Sequence, residues 1–160
     1  MFDLQEVRFE PPDGRDPANF YVVDAPDWIN VVPLTPEGDV VFVRQYRFGV
    51  EDLTLEIPGG MCDPGESPDA AVGRELLEET GYRGRIEPLG SVHPNPAIQS
   101  NRCFSYVARD AVRVADPSPD EHESFEIVLY PLADVPDLIR RGRITHSLVV
   151  TAFHLLGLEG

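Results

Sequence analysis

The sequence has few basic residues, and this absence limits the partners it can bind. Lys and Arg together number 13, against 28 Asp and Glu, for a formal net charge of −15. Nucleic acids and anionic membranes are bound through basic surface that neutralises phosphate groups. We therefore expect no nucleic-acid partner and no membrane partner.

Long apolar runs and cysteines are also scarce. No apolar run approaches the roughly 20 residues that a membrane-spanning helix requires. The first residues, Met1 to Gln5, do not follow the basic-then-apolar order of a signal peptide. Two cysteines, Cys62 and Cys103, suit a reducing compartment, although a single disulfide remains open. Together these features predict a cytoplasmic protein.

The residues that are present are typical of one globular domain. The 160 residues are 42% hydrophobic and 26% charged, which is enough to build one core. We predict a single domain over residues 1–160. Sixteen prolines divide the chain into short segments, because proline is disfavoured inside helices and central strands.

The segments between the prolines predict an α+β or sandwich-like arrangement. Runs of β-branched and aromatic residues predict strands at 28–32, 40–46, 54–57, 102–108 and 125–130. Helices are predicted at about 69–80, 136–141 and 145–156. The turn residues at 35–39 predict a hairpin between the first two of these strands. Many strands with few helices, not in strict alternation, favour this fold class.

The helix predicted at 69–80 carries three glutamates on one side. At about 100° per residue, Glu75, Glu78 and Glu79 fall within an arc of about 100°. An exposed face of this kind is tolerated, since each like-charge pair costs only about 0.2–0.5 kcal/mol. A partly buried one would need a cation, and oxygen ligands alone indicate Mg²⁺ or Mn²⁺. The helix by itself leaves both interpretations open.

Paired glycines precede this helix. Ile57-Pro58-Gly59-Gly60 follows a predicted strand, and glycine allows a backbone to approach a ligand closely. From residue 60 to residue 82 the sequence resembles the Nudix box, the signature of hydrolases that act on nucleoside diphosphates linked to another group. The matching positions are Gly60, Glu66, Arg74, Glu75, Leu76, Glu78, Glu79 and Gly81. Tyr82 departs from the pattern, because an aliphatic residue is usual there.

Flanking segments extend the resemblance. Residues 44–47, 55–60 and 120–127 are similar to segments of ADP-ribose pyrophosphatases and other nucleotide-sugar hydrolases. The resemblance implies the Nudix fold, an α/β/α sandwich with a mixed β-sheet. It also implies divalent-metal-dependent hydrolysis of the diphosphate bond of a nucleoside diphosphate sugar such as ADP-ribose, giving a nucleoside monophosphate and a sugar phosphate. The alternatives are a pyrophosphohydrolase that removes modified nucleoside triphosphates, and a non-catalytic nucleotide-binding module.

Roles for the residues of the box follow from the same resemblance. Glu75, Glu78 and Glu79 would hold Mg²⁺ or Mn²⁺ together with the main-chain carbonyl of Gly59, and Glu79 would belong to the catalytic machinery. The structural positions of the box are Gly60, Glu66, Arg74 and Gly81. Of these, Glu66 and Arg74 would form an ion pair that ties the loop to the helix, with an occasional outer-sphere contact of Glu66 to the metal as the alternative.

Residues outside the box are expected to bind the substrate. Arg47, and less surely Arg44, would bind the diphosphate, although Arg47 in a surface ion pair is the alternative. Glu56 would meet a ribose hydroxyl, an adenine amine or a metal, or would only pack at the end of its strand. Trp28 would stack on a base or belong to the core. Pro96 lies fifteen residues past the last glycine of the box, where ADP-ribose hydrolases tend to carry a proline.

The general base is expected on a loop well after the box. The candidates are Glu121 and Glu123, with Glu123 slightly preferred, and an acidic solvated loop is the alternative. Prolines at 117 and 119 are consistent with a loop that closes over the substrate. Nucleotide-sugar hydrolases of this family are commonly homodimers that share the N-terminal segment or the sheet, so we expect a homodimer.

Overall fold

The computed structural model describes residues 2–118 and 126–157. In these residues the strands are β1 (Asp3–Phe9), β2 (Ala18–Asp24), β3 (Trp28–Pro33), β4 (Asp39–Arg47), β5 (Asp52–Glu56), β6 (Gly59–Met61), β7 (Tyr82–Val92), β8 (Cys103–Arg113) and β9 (Glu126–Pro131). The helices are α1 (Pro68–Thr80), α2 (Val135–Arg140) and α3 (Ser147–Gly157), and a 3₁₀ turn at Leu132–Asp134 precedes α2. All the predicted strands and helices are present, with ends displaced by up to five residues.

The strands form a mixed main sheet and two antiparallel sheets. The main sheet has the order β6-β3-β8-β7, in which β3 and β8 are parallel and the other pairs are antiparallel. The second sheet has the order β5-β4-β9. Strands β1 and β2 form a hairpin apart from both.

Helices α1 and α3 cover opposite faces of the main sheet. Ile29 and Val31 of β3 belong to the core cluster that contains Leu76 of α1. Val32 of β3 belongs to the cluster that contains Val149 of α3. Because successive side chains of a strand point to opposite faces, the two helices lie on opposite sides. The predicted α+β class, with helical layers on both sides of a mixed sheet, is confirmed.

The predicted hairpin between the strands at 28–32 and 40–46 is wrong, although its turn is present. The Thr35 N–H donates to the Asp39 carbonyl oxygen at 2.9 Å, and the Gly38 N–H donates to the Thr35 carbonyl oxygen at 3.0 Å. However, β3 and β4 lie in different sheets, and a single bridge, Leu34 to Val40, joins this part of the chain to β4. Strands β6 and β8 already occupy both edges of β3, so no edge remains for β4.

Strands β1, β2, β6 and β7 are missed by the sequence patterns. The register of β7 against β8 shifts between Arg83 and Arg85 and again between Pro88 and Gly90. These irregularities break the two-residue alternation by which a strand is recognised. Most side chains of β1 and β2 are exposed, so neither strand has the continuous buried apolar face by which a strand is recognised.

The expectations drawn from the few cysteines and the short apolar runs can be compared with the structure. Cys62 and Cys103 are both buried and free, so the disulfide left open by the sequence is not formed. In the ranges 2–118 and 126–157, none of the helices is long and apolar enough to cross a membrane.

Candidate metal and diphosphate site

Local sequence signals define both ends of α1, the helix that carries the three glutamates. The Ser67 hydroxyl oxygen accepts the Ala70 N–H at 3.3 Å, and Pro68 occupies the first turn. Gly81 ends the helix with φ 73°, a left-handed conformation that favours glycine. A Cβ at Gly81 would also collide with the Ala115 carbonyl oxygen.

Glu79 joins the last turn of α1 to Gly59, the first residue of β6. Its side chain is buried, with the whole residue only 5% exposed. One carboxylate oxygen, Oε2, accepts the Gly59 N–H at 3.1 Å. Because a buried charge needs polar partners, this contact ties the position of Gly59 to that of the carboxylate.

Glu75 lies against Gly60. A Cβ at Gly60 would collide with the carboxyl group of Glu75, and a Cβ at Gly59 would collide with the Ile29 carbonyl oxygen on β3. The neighbouring backbone therefore excludes a side chain at Gly59, whereas a side chain at Gly60 would displace the carboxyl group of Glu75. The third glutamate, Glu78, is the most open of the three, with 47% of its side chain exposed.

Arg74 links three carboxylates of this region. Its Nε and Nη2 donate to Glu66 at 3.0 and 2.8 Å, and its Nη1 donates to Glu75 at 2.9 Å and to Glu78 at 3.2 Å. The ion pair between Glu66 and Arg74 that the sequence predicts is thus present. Hydrogen bonds from Arg74, and one from the Asp63 N–H, lower the pKa of Glu66 to about 2. The same contact with Glu66 raises the pKa of Arg74.

The carboxylates of α1 fit a hard cation by their chemistry. In the part of the chain that the structure describes, no group of three His, Cys, Asp or Glu side chains is already gathered around one point. Glu75 and Glu78 are held by Arg74, and Glu79 by Gly59. All the candidate ligand atoms are oxygens, the type that Mg²⁺ and Mn²⁺ prefer, and those of Glu75 and Glu79 lie against the paired glycines Gly59 and Gly60.

A second charged group lies on β4 and β5. Arg47 donates from Nε and Nη2 to the two oxygens of Glu56, at 2.9 and 2.8 Å. The Thr54 hydroxyl donates to Glu56 Oε1 at 2.7 Å. The side chain of Glu56 is 4% exposed, whereas that of Arg47 is 46% exposed. Burial raises the pKa of Glu56, but the hydrogen bonds from Arg47 and Thr54 outweigh it, so that the pKa lies below its ordinary value.

Arg44 is not brought together with Arg47. The two residues are three positions apart on β4 and therefore point to opposite faces of the strand. Arg44 pairs with Glu126, its partner in register on β9. The structure thus separates the two arginines that the sequence groups together.

Of the remaining predicted site residues, two are placed by the structure and two lie outside the described ranges. Trp28 is half-buried at the start of β3, between Met61 on β6 and Cys103 on β8. Pro96 is exposed in the turn that follows β7. Glu121 and Glu123 lie outside the described residues. The Ser118 N–H donates to the Glu78 carbonyl oxygen at 2.8 Å, so the chain just before them is anchored to α1.

Thr54 is a residue of this charged group that was not predicted from the sequence. Its hydroxyl is the second donor to the buried carboxylate of Glu56. Residues two apart on a strand share a face, so the pair could have been found from the two-residue period. What was lacking was the register of β5 against β4, which sets Thr54 opposite Gln45.

Comparison with known proteins decides the family. A family model described as the NUDIX domain matches residues 26–153, which is well over half of the chain. The chain belongs to the Nudix family. The match includes the whole box and the strands that support it, and the family expected from the sequence is confirmed. Nudix hydrolases generally use a divalent metal.

Relatives of this Nudix protein extend over nearly its whole length. It is 32% identical over 158 residues to a methanol dehydrogenase activator of Bacillus methanolicus, covering 98% of this chain and 85% of the relative. It is 27% identical over 161 residues to an ADP-ribose pyrophosphatase of Bacillus subtilis, covering 99% and 86%. A crystal structure of an ADP compounds hydrolase superposes with a TM-score of 0.86 at 27% identity, covering 98% of this chain and 84% of that one. The Nudix fold is therefore confirmed.

Proposed function

We propose that this Nudix protein hydrolyses the diphosphate bond of nucleoside diphosphate sugars such as ADP-ribose, giving a nucleoside monophosphate and a sugar phosphate. The observation that carries the proposal is the position of Glu75 and Glu79 against the paired glycines Gly59 and Gly60 in an intact box. The substrate class is supported by relatives named ADP-ribose pyrophosphatase and ADP-sugar pyrophosphatase.

The metal in this proposal is Mg²⁺ or Mn²⁺, held by Glu75, Glu78, Glu79 and the carbonyl of Gly59. A bound divalent ion neutralises charge on the diphosphate and lowers the pKa of a bound water. Arg74 bridges Glu75 and Glu78. It therefore keeps these carboxylates close together despite their like charge. When an ion binds, the hydrogen bonds from Arg74 would be exchanged for contacts of the carboxylates with the ion.

The substrate in this proposal is bound by Arg47, whose guanidinium matches the geometry of phosphate oxygens. A role of Arg44 in diphosphate binding is less well supported, since Arg44 pairs with Glu126 on the other face of β4. Stacking by Trp28, a specificity role for Pro96, and a general base at Glu123 or Glu121 stay predictions. The single domain over residues 1–160 also stays a prediction.

Product analysis tests the proposal directly. The protein is incubated with ADP-ribose, ADP-glucose, GDP-mannose, NADH or deoxynucleoside triphosphates, with Mg²⁺ or Mn²⁺, and the products are separated by chromatography. We expect a nucleoside monophosphate with no orthophosphate from at least one nucleotide sugar. Cleavage confined to triphosphates would instead favour the pyrophosphohydrolase alternative. Tight binding of a nucleotide sugar without cleavage would favour the non-catalytic module.

A glutamate substitution tests the role of the box. Glu79→Gln keeps the shape of the buried side chain but removes its charge, so we expect kcat/KM to fall at least about 100-fold. Glu37→Gln is the matched control, because Glu37 is an exposed glutamate in the turn before β4. Turnover by the Glu79 variant at the rate of the control would show that this carboxylate is not needed.

We further propose a homodimer that covers the β1–β2 hairpin. This two-stranded sheet exposes the large apolar side chains Leu4, Val7, Phe9, Phe20 and Tyr21. Val7, Phe9 and Phe20 lie together on one face of this hairpin, because Phe20 pairs with Val7 in register and its ring contacts that of Phe9, whereas Leu4 and Tyr21 lie on the other face. An isolated hairpin is marginally stable in water, and exposed apolar side chains grouped on one face are typical of an interface. Light scattering after size-exclusion chromatography should give twice the mass of the chain, and Phe20→Ser should reduce it. Phe48→Ser, at an 87% exposed residue elsewhere, should not. A wild-type monomer would refute the proposal.

A further inference from the structure

The two partners of the ion pair between Arg47 and Glu56 differ in burial, and this difference indicates a separate role for each. The carboxylate is 4% exposed and the guanidinium is 46% exposed. The carboxylate is therefore almost wholly shielded from solvent, while the guanidinium borders it. Both carboxylate oxygens are engaged by Arg47, and Oε1 also accepts the Thr54 hydroxyl.

We propose that Thr54 and Glu56 are positioning residues that fix the guanidinium of Arg47 for binding the substrate diphosphate. This rests on the diphosphate-binding role proposed for Arg47 above. In this arrangement Glu56 acts through Arg47 and does not itself contact a ribose, a base or a metal.

The geometry of the guanidinium supports this role. Arg47 meets Glu56 through Nε and Nη2, the side edge of a rigid planar fork. The end edge, formed by Nη1 and the outer hydrogen of Nη2, must then point away from the carboxylate. A long side chain with half of its surface exposed would otherwise sample many rotamers. Two parallel bonds to a buried anchor restrict it to one orientation before any ligand arrives.

The anchor is itself held in place. Glu56 ends β5, and Thr54, two residues earlier, lies on the same face of that strand. The Thr54 hydroxyl lies 2.7 Å from Glu56 Oε1 and 3.3 Å from the Gln45 carbonyl oxygen. It has a single hydrogen, and the shorter contact with a charged acceptor is the stronger of the two. Thr54 therefore orients the carboxylate, and the carboxylate orients Arg47.

Thr54 offers a cleaner substitution than Glu56. Glu56→Gln alters a buried charge pair, and the protein could lose stability for that reason alone. Thr54→Val keeps the branched shape and removes the hydroxyl, whereas Thr54→Ser keeps the hydroxyl and removes a methyl group. The pair therefore separates the hydrogen bond from side-chain packing.

Steady-state kinetics with ADP-ribose and saturating Mn²⁺ is the first test. Thr54→Val should raise KM about 3- to 10-fold with kcat changed less than about twofold, since a loosened Arg47 weakens binding in both the ground and transition states. Thr54→Ser should stay within about twofold of the wild type. In an Arg47→Ala background, Thr54→Val should have no further effect on kcat/KM. An equal loss in both backgrounds, or no loss in the wild-type background, would overturn the proposal.

A second readout does not depend on hydrolysis. The ¹⁵N–¹H signal of the Arg47 Nε–H, assigned by its disappearance in Arg47→Lys, should exchange slowly with water in the wild type and faster in Thr54→Val. It should shift when ADP is added without metal. If these NMR results hold but no nucleotide sugar is cleaved, the proposed function fails and the positioning role stands. If hydrolysis occurs but the signal is insensitive to Thr54→Val, the positioning role fails alone.

Discussion

Replacing Gly60 by alanine tests whether glycine is needed at this position for metal binding or for folding. The three nearest atoms that a Cβ at Gly60 would meet all belong to the carboxyl group of Glu75, the far end of a flexible side chain. We therefore expect Glu75 to move and the backbone to stay. The movement breaks the hydrogen bond from Arg74 at 2.9 Å, which is worth about 1.5–3 kcal/mol for a charged pair. Alanine also makes the unfolded chain less flexible, which raises the free energy of unfolding by about 0.4–1 kcal/mol. The net loss in the free energy of unfolding is therefore about 0.5–2.5 kcal/mol.

The expected effect on metal binding is larger. With one carboxylate displaced, the affinity for Mn²⁺ and the rate of hydrolysis should each fall at least about 10- to 100-fold. Isothermal titration with Mn²⁺ measures the first effect, and thermal unfolding with and without Mn²⁺ should show a smaller metal-dependent stabilisation. Gly49→Ala is the control, because a Cβ at Gly49 meets no neighbouring atom within 4 Å.

Two results would refute this reasoning. Wild-type affinity for Mn²⁺ and wild-type turnover in Gly60→Ala would mean that the close approach of Glu75 to Gly60 is not needed. Failure of the variant to fold would mean that the backbone, and not the Glu75 side chain, sets the requirement for glycine.

Three further predictions concern stability. Outside its own helix, a Cβ at Gly73 in α1 would meet only the Ile86 side chain, at 3.7 Å. Gly73→Ala should therefore raise the free energy of unfolding by about 1 kcal/mol and the melting temperature by about 2–4 °C. A lower melting temperature would contradict this. Tyr106→Phe removes the hydrogen bond from the Tyr106 hydroxyl to Asp69 at 2.7 Å, and urea unfolding should show a loss of about 1 kcal/mol, whereas unchanged stability would be evidence against the bond. The pKa of Glu66 is about 2 in the folded protein against an ordinary 4.5, so its contribution is present above pH 4.5 and is lost as the pH falls towards 2. Urea unfolding at pH 5 and pH 3 should therefore show a smaller pH dependence in Glu66→Gln, and an unchanged dependence would contradict the assignment.

The features predicted correctly depend on neighbours along the chain. The ends of α1 follow from Ser67, Pro68 and Gly81, which are within or beside the helix. Strands β3 and β4 follow from runs of β-branched residues, which are buried on both faces in the structure. The Nudix box is also a local pattern, and for that reason it identifies the family before any fold is known.

The features missed depend on pairing between distant segments. The supposed hairpin of β3 with β4 fails because β6 and β8 occupy the edges of β3, and nothing in the turn at 35–39 reveals this. Strand β7 escapes recognition because its bulges are defined against β8. Arg44 and Arg47 are close in sequence, but the alternation of β4 directs them to different faces.

The sequence by itself determined that three glutamates share one side of a capped helix after paired glycines, because helical periodicity and capping act over a few residues. Only the tertiary structure decided that the carboxyl group of Glu75 lies against Gly60, that Glu79 reaches Gly59, and that Arg47 is held by a buried carboxylate. Each of those contacts joins residues on different elements. Their distances follow from how the strands pair and how α1 packs on the sheet, and hydrophobic burial over the whole chain sets that packing.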